Sequence, residues 1–285
     1  MIIILYQTRI SQKERRALMP FCNNNGVNIY YEIEGSGSEV ILIHGFSSNM
    51  KANWQRTGVT NALKDENQVI MIDCRGHGKS EKFYDPIMYG DKMLDDIIYL
   101  LDYLDIKKIN LIGYSMGSRI SLDLLQTYPE RFKSIILGGF TPPACLNTNI
   151  KPPNRRFDRD KMIEAFLTDN PETITDPIGR KFRNYATSED GDLKALAAVL
   201  MNNNNDSVSR SLTKEALLEK FRDISVPLMT ISANNDTPPG DKAKFAMMVP
   251  QGCHFQIEGK NHQTVTHDPK FSMIIRAFLN YVNQK

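Results

Sequence analysis

The sequence predicts an α/β fold, a mostly parallel, doubly wound sheet with helices on both faces. Three observations carry this. Short apolar runs of strand length alternate with amphipathic helical segments along nearly the whole chain, the pattern of repeated β–α units. The runs are short and near-continuous, as in strands covered by protein. Several end in glycine-containing turns that carry His, Asp, Arg or Ser, and ligands of such sheets sit beyond the strands' carboxyl ends.

With 285 residues, 41% apolar and 24% charged, the chain can bury one large α/β core or two small ones. Its 35 basic and 33 acidic residues leave a net charge of +2. That balance gives no reason to expect a nucleic acid or an anionic membrane as partner. Cys22, Cys74, Cys145 and Cys253 lie far apart with no C-x-x-C spacing. Reduced thiols and a cytoplasmic location are the simplest reading, not a zinc site or a disulfide scaffold. No run reaches the length of a membrane span. Ile2–Tyr6 is too short for a secretory signal, and its basic residues follow rather than precede it. Residues 1–18 are expected to be a poorly ordered extension, and Met19 would open directly into folded-looking sequence.

Taken in order, Val27–Glu34 is rich in β-formers after the turn signal Asn23-Asn24-Asn25-Gly26. A second turn at Gly35-Ser36-Gly37-Ser38 leads to Val40–Ile43, which suggests a hairpin feeding the sheet. Residues 49–64 read as a helix with Trp54 and Leu63 inward, and Val69–Ile72 as the next strand. Met88–Ile106 has helical periodicity, with Asp91, Asp95, Asp96 and Asp102 expected on the wet side. Ile109–Ile112 and Phe132–Leu137 are strands. Residues 141–215 have no strand-like run, two Pro-Pro pairs, four consecutive asparagines, and helical pieces at Met162–Leu167 and Leu193–Met201. They read as a helical insertion that must pack on something else. Alternation resumes with a helix ending at Leu217–Phe221, strand Pro227–Ser232, helix Asp241–Val249, strand His254–Ile257 and helix Phe271–Val282.

The chemistry starts at Gly113-Tyr114-Ser115-Met116-Gly117, placed where a strand turns into a helix. A G-x-S-x-G turn in that context lifts the serine hydroxyl out of the sheet beside free helix N–H groups. A serine hydroxyl is a weak nucleophile without a base, and the base needs a carboxylate to fix its tautomer. Asp236 follows the strand at 227–232, and His262 follows the one at 254–257, so the chain order is Ser, Asp, His. His254 and His267 read as structural, His77 as a loop brace and Asp241 as an acidic residue at a helix start. The turn His44-Gly45-Phe46 ends another strand, so the Phe46 and Met116 N–H groups are candidate oxyanion donors. His44 reads as structural.

These blocks, with Asp73-Cys74-Arg75-Gly76-His77-Gly78-Lys79-Ser80, resemble the α/β-hydrolase superfamily over about residues 25–285. The Asp73–Ser80 block is similar to the family's D-x-R-G-x-G-x-S stretch, which is more structural than catalytic. The resemblance implies an eight-stranded, mostly parallel sheet formed by 19–140 and 216–285, with 141–215 as a helical cap over the site. Two positions depart from the family pattern: Ala233 stands where the acid loop usually has glycine, and Ser118 where many relatives carry another glycine. Ser115 argues against the members that use an aspartate nucleophile.

The expectation is a cytoplasmic serine hydrolase of carboxylic esters or related acyl substrates, needing no metal or organic cofactor. Ser115, His262 and Asp236 are nucleophile, base and orienting acid, and Phe46, Tyr114, Met162 and Phe166 line a pocket for an apolar acyl or alcohol group. The alternatives are a carbon–carbon-bond hydrolase or acyltransferase with the same triad, and a hydrolase-fold protein that only binds.

Overall fold

The computed structural model describes residues 20–140, 142, 158–202, 213–236 and 242–284. The extension at 1–18, Asp241 and much of 141–157 and 203–212 lie outside the described residues. Eight strands form one sheet: β1 (Phe21–Asn24), β2 (Val27–Glu34), β3 (Ser38–Ile43), β4 (Asn67–Ile72), β5 (Ile109–Tyr114), β6 (Phe132–Gly138), β7 (Leu228–Asn235) and β8 (Gly252–Asn261). Their spatial order is β1-β2-β4-β3-β5-β6-β7-β8. All pairings from β4 to β8 are parallel, while β2 runs antiparallel to both β1 and β4.

The hairpin expected between β2 and β3 does not form, because β4 lies between them. The hairpin is instead β1–β2, turned by Asn25 and Gly26, both at positive φ, the pair that a tight two-residue turn requires. Gly35 and Gly37 carry the chain past the start of β4, where a side chain on either would collide with a carbonyl of Lys64 or Glu66.

Successive residues of the strands point to opposite faces, and each face is covered. On one side Ile41, Ile43, Ile70, Ile72, Leu111, Ile135 and Leu137 are fully buried under four helices. These are α2 (Asp91–Tyr103), α3 (Met116–Thr127), α7 (Lys214–Arg222) and α8 (Lys242–Met248). On the other side Val40, Leu42, Val69, Met71, Ile112 and Ile136 are equally buried under α1 (Val59–Leu63) and α9 (Pro269–Asn283). The helix read over 49–64 is split: a π-helical turn at Lys51–Gln55, then Gly58 at φ 81, then α1. Trp54 and Leu63 are inward as expected.

Between β6 and β7 run α4 (Arg159–Leu167), α5 (Pro177–Ser188) and α6 (Leu193–Met201). Their apolar residues Met162, Phe166, Ala186, Leu196 and Ala197 form a separate small core, against which Phe46 and Phe182 pack. The starts of all three helices are set by Asp158, Asp176 and Asp192, whose side chains accept from the third residue's N–H.

One helix face departs from its periodicity. Asp91, Asp95 and Asp102 are exposed, but Asp96 is buried. The reason lies 21 positions upstream: Arg75 Nε and Nη2 each donate to an Asp96 oxygen at 2.6 Å, and Asn24 Nδ2 donates at 2.9 Å. A carboxylate can occupy an apolar interior when its charge and lone pairs are met in this way.

Candidate active site

Ser115 sits between β5 and α3 at φ 53 and ψ −110, a backbone state that costs a non-glycine residue about 1–3 kcal/mol. The neighbours make it possible. A side chain at Gly117 would collide with the Ile43 carbonyl oxygen, and one at Gly113 with the Gly117 carbonyl. The Ser115 N–H is tied to the Gly138 carbonyl at 2.8 Å. Ser118 has its own part here, because its hydroxyl reaches the carbonyls of Gly113 and Gly138 at 2.8 and 2.7 Å. The departure at 118 therefore adds a brace under the turn.

The structure brings Ser115, His262 and Asp236 into one hydrogen-bonded chain. His262 Nε2 is 2.9 Å from Ser115 Oγ, and His262 Nδ1 is 2.7 Å from Asp236 Oδ1. Asp236 is at the end of β7 and its side chain is 1% exposed, whereas that of His262, directly after β8, is 17% exposed. The imidazole packs over Gly139, where an added Cβ would lie 2.8 Å from its Cε1. This glycine was not singled out in the sequence. The Ala233 departure is accommodated within β7, since positive φ falls elsewhere.

Tyr114 is placed differently from the pocket-lining role expected for it. Its ring lies 5.2 Å from that of His262 and 6.1 Å from that of Phe271, in the layer beneath the site. Its hydroxyl donates to the His262 carbonyl. The alternation of β5 explains this: Asn110, Ile112 and Tyr114 share the α9 face. Burial, with the Asp236 charge nearby, raises the phenol well above its ordinary value.

Gly45 lies against the serine turn, with an added Cβ 3.4 Å from Ser115 Cβ. Its N–H is held by Asn53 Oδ1 at 2.8 Å. Phe46 follows, and Met116 opens α3, where the first N–H groups have no intrahelical acceptor. The Phe46 ring stacks on Phe166 at 5.8 Å and meets Phe182 at 6.2 Å. Phe166 and Met162 are buried on α4. Tyr185 and Glu189, from the end of α5, close on the same loop: Tyr185 Oη is 3.0 Å from Ser48 Oγ, and Glu189 pairs with Arg56.

His44 and His77 stand on the β3–β4 side. The Cys74 N–H donates to His44 Nε2 at 3.0 Å, so the proton on Nδ1 faces the Gly45 carbonyl at 2.7 Å. Burial lowers the proton affinity of His44, and brings that of His77 down to about 3. Asp73 accepts from the Met50 and Lys79 N–H groups, both at 2.8 Å. His254 is tied to Thr230 at 2.7 Å, away from the serine turn.

One ionic group went unread in the sequence: Lys242 Nζ is 3.6 Å from Asp236 Oδ2, at the start of α8. Only its position six residues after the acid points to it. Among the described residues, no cluster of three or more His, Cys, Asp or Glu is arranged to hold a metal ion. No described helix is long and apolar enough to cross a membrane.

A doubly wound sheet with a serine on a strained strand-to-helix turn, hydrogen-bonded to a histidine and an aspartate from later strand ends, defines a class of α/β enzyme folds. The alpha/beta hydrolase fold pattern matches residues 40–234, more than half of the chain, and the chain belongs to that family. It is 25% identical over 259 residues to a 2-(acetamidomethylene)succinate hydrolase of Mesorhizobium japonicum, covering 88% of this chain and 90% of that one. It is 36% identical over 155 residues to the dihydrolipoyllysine-residue acetyltransferase component of an acetoin cleaving system in Pseudomonas putida. That match covers 51% of this chain and only 40% of the relative. Among solved structures, an enol-lactonase from Burkholderia xenovorans superimposes with a TM-score of 0.69 at 18% identity, covering 92% of this chain and all of that one. A meta-cleavage product hydrolase from Pseudomonas fluorescens gives 0.62 at 20% identity, covering 92% and 97%.

Proposed function

We propose that the protein is a serine hydrolase that cleaves a carboxylic ester or related acyl substrate. The single observation that supports it most is the unbroken chain from Ser115 Oγ through His262 to Asp236 Oδ1, at 2.9 and 2.7 Å. Ser115 Oγ attacks the acyl carbon while His262 Nε2 takes its proton. The carbonyl π-pair moves onto oxygen, held by the Phe46 and Met116 N–H groups. Each such donor is worth about 3 kcal/mol of barrier. Collapse expels the alcohol, protonated by His262. A water then gives a proton to His262 and attacks the acyl carbon, and the acid leaves as Ser115 recovers its proton. Asp236 holds the tautomer and offsets the imidazolium charge throughout.

Phe46, Phe166 and Phe182 favour an apolar acyl or alcohol group. On this reading residues 141–215 act as a cap, and free Cys22, Cys74 and Cys253 suit a reducing cytoplasm. A fluorophosphonate is expected to label Ser115 and nothing in Ser115→Ala, read by intact mass. Folded protein that stays unlabelled overturns the proposal. Carbon–carbon bond cleavage by the same residues is the second reading, favoured by the fold shared with the meta-cleavage product hydrolase. A panel of p-nitrophenyl esters of rising acyl length beside a vinylogous diketone separates the two.

A further inference from the structure

We infer that Lys242 is a positioning residue of the site: its ammonium holds the buried Asp236 carboxylate and sets how tightly the Asp236–His262 pair binds a proton. The inference rests on the proposed reading of that pair as acid and base. Asp236 Oδ1 is taken by His262 Nδ1. Asp236 Oδ2 is buried and has no hydrogen-bond partner among the described residues. What stands beside it is Lys242 Nζ, at 3.6 Å, on a side chain that is 8% exposed. A buried carboxylate and a buried ammonium each cost several kcal/mol alone, and at this distance each offsets the cost of the other.

The backbone keeps the ammonium there. Thr230 Oγ1, on β7, is 3.3 Å from the Lys242 carbonyl oxygen, and Phe245 and Ala246 seat α8 in the core. Among the described residues, the other ionisable groups near the pair have partners of their own. Tyr114, from β5, donates a hydrogen bond to the His262 carbonyl. His254, from β8, is engaged by Thr230. Lys260 and Asp268 pair with each other at 3.4 Å. Tyr185, from α5, engages Ser48. Lys242 is the cation nearest the carboxylate in this set.

The sign follows from charge alone. Aspartate and histidine share one exchangeable proton, and the midpoint belongs to the pair. A cation beside the pair opposes uptake of that proton wherever it settles. Removing the cation strengthens uptake, so the midpoint rises and the acid limb of kcat/KM moves to higher pH. At this separation, partly screened, the shift is roughly one to two pH units.

The test is an NMR titration of the His262 Cε1–H resonance in the full chain, assigned by its loss in His262→Gln. Lys242→Met is expected to raise the midpoint by roughly one to two units, with Lys242→Arg staying near wild type. Should Lys242→Met fail to fold, Lys242→Gln takes its place. An unchanged midpoint without the charge overturns the inference. So does an equal shift in the arginine variant, which would mean packing rather than charge. The midpoint needs no turnover, so fluorophosphonate labelling of Ser115 judges the hydrolase reading separately.

Discussion

Two polar clusters flank Ser115, and each is built from a histidine, an aspartate and a basic residue. On the β3–β4 side stand His44, Asp73 and Arg75; on the β7–β8 side stand His262, Asp236 and Lys242. In the first cluster His44 and Asp73 spend their hydrogen bonds on backbone: His44 bridges Cys74 and Gly45, and Asp73 receives Met50 and Lys79. Arg75 is closed onto Asp96. The second spends them on side chains in line, ending at a serine hydroxyl. A histidine held by backbone at both nitrogens has no proton to pass on. One held between a carboxylate and a hydroxyl can take a proton from one side and return it. Hydrogen-bond partners, not residue type, separate a brace from a reactive chain.

Breaking the brace tests this most severely. Arg75→Met leaves Asp96 buried without its counter-charge, which costs about 3–5 kcal/mol of stability. Urea denaturation should report that loss, with activity per folded molecule within a few-fold of wild type. Pairing Arg75→Met with Asp96→Leu should recover much of it. A large activity loss in fully folded Arg75→Met would erase the distinction between the clusters.

Acid should also find the brace. His44 and His77 are neutral in the fold because burial depresses their proton affinity, to about 3 for His77. The unfolded chain binds those protons from about pH 6.5 downward. Stability is therefore complete above about 6.5 and falls below it, at about 1.4 kcal/mol per pH unit for His77, with His44 adding to the fall. Unfolding free energies from urea denaturation at pH 7.5 and 5 are expected to differ by about 2 kcal/mol through His77, with His44 acting in the same direction. His77→Gln should flatten that dependence; an equally steep dependence in the variant would place the acid sensitivity elsewhere.

Ser115 was legible because its turn needs two glycines at fixed spacing, and steric demands of that kind are local. Asp236 and His262 were legible because each directly follows a strand, β7 and β8. Asp96 was misread because helical periodicity sees only its own helix, while its partner Arg75 arrives from another loop. The β2–β3 hairpin was misread for a related reason: nothing in that stretch says that β4 will enter between them. Four-residue β1 is too short to show alternation, and it was read only as a turn. Lys242 has no sequence signal apart from its nearness to Asp236. Local geometry can be read from the chain; the partner of a buried charge cannot.

The smallest expected effect sharpens the comparison at the point where brace and reactive chain meet. Tyr114 belongs to the serine strand, yet its hydroxyl supports the backbone of the base loop. Tyr114→Phe keeps the ring, its packing on Phe271 and the serine turn, and removes one donor from a part-buried carbonyl. The cost is about 1 kcal/mol. If the loop merely needs that bond to stay folded, the loss appears in urea denaturation and kcat is unchanged. If the bond sets the height of the imidazole, kcat falls up to about tenfold while KM holds, because no substrate contact is altered. The second outcome is expected, since the His262 ring lies directly over Tyr114 and Gly139, and a loop released from below would let Nε2 drift from its 2.9 Å contact with Ser115.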